Sequence, residues 1–217
     1  MKNFVKNLSN KVRIVEVGLR DGLQNEKYIV PLNVKIELLK RLSNSGLKSI
    51  EVGSFVSPKW VPQMENTDKL CKYIKHQQRK TGSKRLNTTG ISHSVLTPNI
   101  HGLNQAIKNG GINEIAIFGA ASEEFSKNNI NCSIEESMER FKPVVKKALI
   151  NGFRVRGYVS CVLGCPFEGV VDPKKVAMVA KNMLSMGCYE VSLGDTIGVG
   201  TINTTRDLLE YLIKQEN

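Results

Sequence analysis

The chain has 217 residues, 41% of them apolar and 24% charged, with a formal net charge of +11. These are ordinary proportions for a globular domain, so they exclude general disorder, and no stretch nears the roughly 18 apolar residues of a membrane helix. The cysteines, Cys71, Cys132, Cys161, Cys165 and Cys188, are scattered and odd in number, which argues against a disulfide framework and for free thiols.

The N-terminal ten residues are polar, with Lys2 and Lys6, and lack the apolar stretch of a secretory signal. A cytoplasmic protein without membrane attachment is expected. The first apolar run, Arg13–Val17, predicts a strand. It leads into Gly18-Leu19-Arg20-Asp21-Gly22-Leu23-Gln24, a charged turn that suits an active-site loop better than a phosphate cradle. Pro31 then marks a helix start, and Val34, Leu38, Leu39 and Leu42 make an apolar stripe at helical spacing that stops before Gly46.

Further strands are predicted at Ser49–Val52, Ser94–Leu96, Glu114–Phe118, Arg154–Val159 and Glu190–Leu193. Helical patterns separate them, such as Val176, Val179, Ala180 and Met183 after Pro173, and Gly152 and Gly187 follow helix ends. Strands alternating with helices in this way imply βα units around a parallel sheet. Six such units are visible. The prediction is an α/β fold, a TIM (β/α)8-type barrel, incomplete, forming a single domain over residues 1–217.

Residues Gln77–Thr89 read as a basic loop insertion. Lys72, Lys75, Arg79, Lys80, Lys84 and Arg85 form a run without an acid. Only Tyr73 is nearby as an aromatic platform, so no nucleic-acid partner is expected.

In a parallel barrel, chemistry sits where strands end. The predicted strand ends carry Arg20 and Asp21, Ser54, Thr97 and Asn99, Ser122, Ser160 with Cys161 and Cys165, and Asp195 with Thr196. Asp21 offers a hard oxygen suited to Mg²⁺ or Mn²⁺, or else a local ion pair with Arg20. A guanidinium such as that of Arg20 suits an oxygen that gains negative charge. Glu51 lies inside an apolar run and needs a partner to be tolerated there, for which an arginine from the neighbouring strand end is suited. The loop after Leu193 is glycine-rich, a pattern shared by anion sites and plain tight turns. Cys161 and Cys165 are too few for a zinc site. His76, His93 and His101 show no ligand spacing; His93 is read as preceding a strand and His101 as opening a helix.

Six segments together carry a resemblance. They are Val15–Glu26, Ser54–Met64 with its Pro-Lys-Trp-Val-Pro-Gln-Met run, Phe118–Glu123, Asn128–Ser137, Arg156–Cys161 and Ser192–Thr201. In these the chain resembles the 3-hydroxy-3-methylglutaryl-CoA lyase family, collinearly over nearly its whole length. The resemblance implies a TIM-type barrel, a divalent metal (Mg²⁺ or Mn²⁺) and cleavage of 3-hydroxy-3-methylglutaryl-CoA to acetyl-CoA and acetoacetate, in leucine degradation and ketone-body formation. It implies Asp21 as a metal ligand and Arg20 on the substrate carbonyl. It further implies Arg20 and Glu51 as catalytic residues, Glu51 supporting Arg20 and the catalytic centre, and Gln24, Ser54, Asp195 and Thr196 lining the substrate pocket. Members of the family carry further ligands, a His-x-His pair and a catalytic cysteine loop, beyond the point matching Asn217, and no residue here stands in for them. The expectation is therefore a chain that is inactive or impaired alone, with a homodimer mate or a complementing C-terminal fragment as partner. A non-catalytic CoA-thioester binder is the alternative, and an isopropylmalate- or homocitrate-synthase-like condensing barrel a more distant one.

Overall fold

Short runs of β-branched residues bounded by glycine and polar turns make buried strands when both faces are covered. Five such runs form strands in the computed structural model, which describes residues 12–80 and 90–215. They are β1 (Ser49–Ser54), β2 (Ser92–Leu96), β3 (Glu114–Ala120), β4 (Arg154–Ser160) and β5 (Glu190–Leu193). All pair in parallel, in the order β1-β2-β3-β4-β5. The predicted first strand is reduced to one parallel bridge, Glu16 against Ile50, held by the Glu16 N–H on the Ser49 carbonyl and the Glu51 N–H on the Glu16 carbonyl. It thus occupies a strand position beside β1 without forming a ladder.

The helices are α1 (Leu32–Asn44), α2 (Thr67–Lys80), α3 (Ile100–Asn109), α4 (Glu123–Ile130), α5 (Ile134–Ile150), α6 (Pro173–Met186) and α7 (Ile202–Gln215). Counting the bridged segment, six βα units are present in an α/β barrel that is not closed. The stretch between β3 and β4 holds two helices in place of the expected one. Asn131 turns into the left-handed region after α4, and Ser133 with Glu136 forms a capping box that restarts the chain as α5. Residues Gln77–Lys80 continue α2 and are not part of a loop, since Gln, Arg and Lys are good helix formers. The remaining basic segment, 81–89, lies outside the described residues.

The core is one continuous cluster between sheet and helices. It includes Ile50, Val52, Val95, Ile115, Ile117, Val155 and Val159 from the strands, and Leu39, Leu70, Leu103, Val145, Val176, Val179 and Met183 from the helices. Two glycines let α6 approach the sheet. A Cβ on Gly157 would stand 2.6 Å from Met183 Sδ, and one on Gly119 would stand 2.9 Å from Met183 Cε.

The sheet curls strongly. Strands β1 and β4 are three spacings apart, about 14 Å along a flat sheet. Even so, the Tyr158 hydroxyl of β4 donates to Glu51 Oε2 of β1 at 3.2 Å. At the N-terminal ends of the strands, Arg13 reaches Glu190 and donates to the Tyr189 hydroxyl, Tyr189 donates to Glu114 at 2.9 Å, and Arg156 pairs with Glu190 at 2.9 Å. Arg154 stacks on the Tyr189 ring at 3.7 Å. This charged plug links the segment before β1 to β5.

Candidate active site

The site begins with a backbone irregularity. Residues Gly18–Gly22 form one π-helical turn in which the N–H groups of Arg20, Asp21 and Gly22 all converge on the Val17 carbonyl. Such turns widen the helix and re-aim side chains. Here Leu19 is buried in the core while Arg20 turns inward over the sheet.

Arg20 is held on several sides. Its Nε donates to Glu51 Oε2 at 2.6 Å, and its Nη1 donates to Asp21 Oδ1 at 2.7 Å. Its Cζ lies 5.2 Å from the centre of the Tyr158 ring. Arg156 approaches the same ring at 5.3 Å, so Tyr158 sits between two guanidinium groups. Glu51 is fully buried. Burial pushes its carboxyl above the usual range, against the opposing pull of Arg20, Tyr158 and Arg156. Burial also works against the Arg20 charge, yet Glu51 and Asp21 hold its pKa above the ordinary guanidinium value. Tyr158 is likewise pushed up, by burial and by the Glu51 charge.

Arg20, Asp21 and Glu51 therefore meet in one hydrogen-bonded cluster beside Tyr158. The other sequence-expected positions are placed differently. Gln24 is half-buried in the helical turn that continues from Gly22. Ser54 is buried at the end of β1; its hydroxyl donates to the Leu96 carbonyl at 3.3 Å and accepts from the Val56 N–H at 3.1 Å, tying β1 to β2. Asp195 is exposed and accepts from the N–H groups of Val199 and Gly200, shaping its own loop. Thr196 accepts from the Cys161 N–H at 2.8 Å, tying the β5 loop to the β4 loop. Asn99 and Ser122 cap the N-termini of α3 and α4. His93 lies inside β2, where it was expected ahead of the strand; it is buried, and burial lowers its pKa to about 4.

Tyr158 and Arg156 are members of this cluster that the strand-end reading missed. Their signal was parity. Along β4 the residues alternate between fully and half-buried, and the half-buried positions 156, 158 and 160 share one face.

For a divalent cation the donor set is thin. Asp21 is exposed, and one of its oxygens already accepts a hydrogen bond from Arg20 Nη1. Glu51 Oε1 is buried without a partner. Among the described residues no group of three or more His, Cys, Asp or Glu is placed to hold a metal ion. The residues present do not make a complete metal site.

A family profile described as HMGL-like matches residues 11–217. The chain is 53% identical over 209 residues to the 3-hydroxy-3-isohexenylglutaryl-CoA/hydroxy-methylglutaryl-CoA lyase of Pseudomonas aeruginosa, covering 96% of this chain and 66% of that protein. It is 54% identical over 205 residues to the mitochondrial hydroxymethylglutaryl-CoA lyase of Bos taurus, covering 94% and 59%, and 54% identical over 204 residues to a cytoplasmic 3-hydroxy-3-methylglutaryl-CoA lyase of Homo sapiens, covering 94% and 52%. Among solved structures it is similar to a Pseudomonas aeruginosa hydroxymethylglutaryl-CoA lyase, with a TM-score of 0.85, 52% identity and coverage of 96% and 65%. It is also similar to an Acinetobacter baumannii HMG-CoA lyase in complex with coenzyme A and 3-methylmalate, with a TM-score of 0.81, 28% identity and coverage of 94% and 62%. The chain thus spans about half to two-thirds of the length of these relatives. With the profile running through all six βα units, and with the relatives aligned across the turn that carries Arg20 and Asp21, the chain belongs to the HMGL-like family.

Proposed function

We propose that this chain forms the substrate-facing wall of a carbon–carbon lyase that cleaves 3-hydroxy-3-methylglutaryl-CoA to acetyl-CoA and acetoacetate. The observation that carries this reading is the fixed guanidinium of Arg20, clamped by Glu51 and Asp21 above Tyr158. Cleavage of a tertiary 3-hydroxy thioester expels the enolate of an acetyl thioester. Negative charge builds on the thioester oxygen, and a donor already oriented there stabilises it without reorganising. Nε and Nη1 of Arg20 are each engaged by a carboxylate, which fixes the plane of the guanidinium that would meet that oxygen. Glu51 and Tyr158 act as positioning residues through Arg20. Gln24, Ser54, Asp195 and Thr196 complete the rim, Ser54 and Thr196 chiefly by fixing the loops around it.

A divalent cation, Mg²⁺ or Mn²⁺, would take the second Asp21 oxygen. One carboxylate holds such an ion weakly, so the further ligands come from outside the described residues. The outer edge of β5 pairs only with β4 among the described residues, and Ile202 and Leu209 on α7 are exposed, so this side of the fold would offer additional βα units a docking surface. These come from a complementing C-terminal fragment or, as the second reading, from a homodimer mate. The incomplete donor set also favours a non-catalytic CoA-thioester binder as the alternative. Action in the cytoplasm fits both readings, although relatives carry cytoplasmic and mitochondrial names; no described helix is long and apolar enough to cross a membrane.

A coupled assay of acetoacetate release, run with Mg²⁺ and with or without a polypeptide supplying the remaining units, tests the proposal. The expected outcome is little turnover alone, restored turnover in the complex, and loss of about 10²-fold or more in Arg20→Gln. Calorimetry with a CoA thioester separates the alternatives. Binding with no turnover under any complementation supports the non-catalytic binder, and absence of both binding and turnover overturns the proposal.

A further inference from the structure

The loop between β4 and α6 contains a second chemical feature that the lyase reading leaves unused. Cys161 is buried and holds a backbone φ of +61°, the left-handed region that a side-chain-bearing residue adopts at a cost. Four residues on, Cys165 is also buried. Its Sγ lies 2.9 Å from the Ser122 hydroxyl and accepts from the N–H groups of Phe167 and Glu168, each at 3.4 Å. Cys161 and Cys165 lie in one turn of the loop, close enough for each thiol to shift the ionisation of the other. A reciprocal pair of backbone hydrogen bonds between Cys165 and Gly169, at 2.8 and 2.9 Å, closes a small loop over the sulfur. The residues of that loop, Pro166 to Val170, are exposed, Val170 to 93%.

We propose that Cys165 and Cys161 form an oxidisable dithiol, with Cys165 as the attacking thiolate and Cys161 as the resolving thiol, and that hydroperoxides are its oxidants. The donors around Cys165 Sγ are those a thiolate requires. Burial opposes ionisation of Cys165, but the Ser122 hydroxyl, the two N–H groups and the Cys161 thiol together hold its pKa below the usual thiol range. Burial pushes Cys161 the other way, to about 11, so the partner remains a protonated thiol. In the first step the Cys165 thiolate attacks hydrogen peroxide, giving a sulfenic acid and hydroxide. In the second the Cys161 sulfur displaces the sulfenic hydroxyl, giving a disulfide and water. Two electrons pass from the thiol pair to the peroxide.

The remaining cysteines are internal controls. Cys71 and Cys188 are buried, with thiols pushed up to about 12, and Cys132 is also buried, its thiol pushed up by burial. The test is peptide mass spectrometry of the full chain after limited hydrogen peroxide treatment, on the monodisperse fraction. The expected result is a peptide holding both Cys161 and Cys165 that has lost two hydrogen atoms, formed about tenfold faster than any change at Cys71, Cys132 or Cys188. Cys161→Ser should stop at a sulfenic acid on Cys165 that a dimedone-type probe captures, and Cys165→Ser should leave Cys161 unlabelled. Three results would overturn the proposal: no oxidation of the pair, uniform oxidation of all five cysteines, or capture of Cys161 in Cys165→Ser as fast as Cys165 in Cys161→Ser. None of these readouts depends on lyase activity.

Discussion

At the scale of single residues, the site rests on a buried charge pair whose two halves depend on each other. Glu51→Ala would leave the Arg20 guanidinium, with only 11% of its side chain exposed, without its main counter-charge. The expected cost is about 3–5 kcal/mol, because an uncompensated buried charge remains. Urea unfolding would measure it, and a change below about 1 kcal/mol would contradict the pairing. His93 gives a pH signature of its own. Its folded pKa of about 4 lies below the value of about 6.5 in an unfolded chain. Between those values the unfolded state binds the extra proton, so stability is intact above pH 6.5 and falls by up to about 3 kcal/mol as pH drops toward 4. His93→Gln should flatten that part of the stability profile relative to the parent chain.

The need of Glu51 for a cationic partner was legible in the sequence, because a carboxylate in Ser49-Ile50-Glu51-Val52 has few alternatives. The role of Ser54, Asn99 and Ser122 was not. Polar residues that end strands also begin helices, and at Asn99 and Ser122 helix capping uses the side-chain oxygen. Motif position cannot distinguish a cap from a substrate contact; only the direction of the hydrogen bond does.

At the scale of elements, α6 packs closely on β3 and β4. Gly157→Ala would drive a methyl group into Met183, and such overpacking costs about 1–3 kcal/mol. Met183→Ala removes the obstacle while leaving a cavity. The double variant should therefore cost less than the sum of the two single ones, by thermal or urea unfolding. Simple additivity would show that the two side chains do not collide. The helix boundaries were largely readable from Pro31, Pro173, Gly152 and Gly187, whose backbone preferences are local. The split of α4 from α5 was not, because it hangs on one left-handed asparagine followed by a capping box. The first strand was overcalled for a related reason. The apolar run Arg13–Val17 has strand-forming residues, but in it Glu16 alone makes the bridge.

At the scale of the whole molecule, the strand order and parallel sense followed from the βα alternation, whereas the curl of the sheet could not be seen in periodicity. It is set by side chains that meet across the interior, such as Tyr158 with Glu51. An open sheet edge invites association, and among the described residues the outer edge of β5 is unpaired while α7, packed on α6, exposes apolar side chains. Sedimentation of the isolated chain should show concentration-dependent self-association. A complementing fragment with the remaining βα units should suppress that association and raise the melting temperature by mass action. A chain that stays monomeric at high concentration and ignores the fragment would contradict the docking surface assigned to β5 and α7.

The plug joining Arg13 to Tyr189 and Glu190 spans 176 and 177 positions of sequence. It ties the segment before β1 to the fifth strand. Both halves of this clasp lie within residues 13–190, so the curvature it holds is decided inside that span.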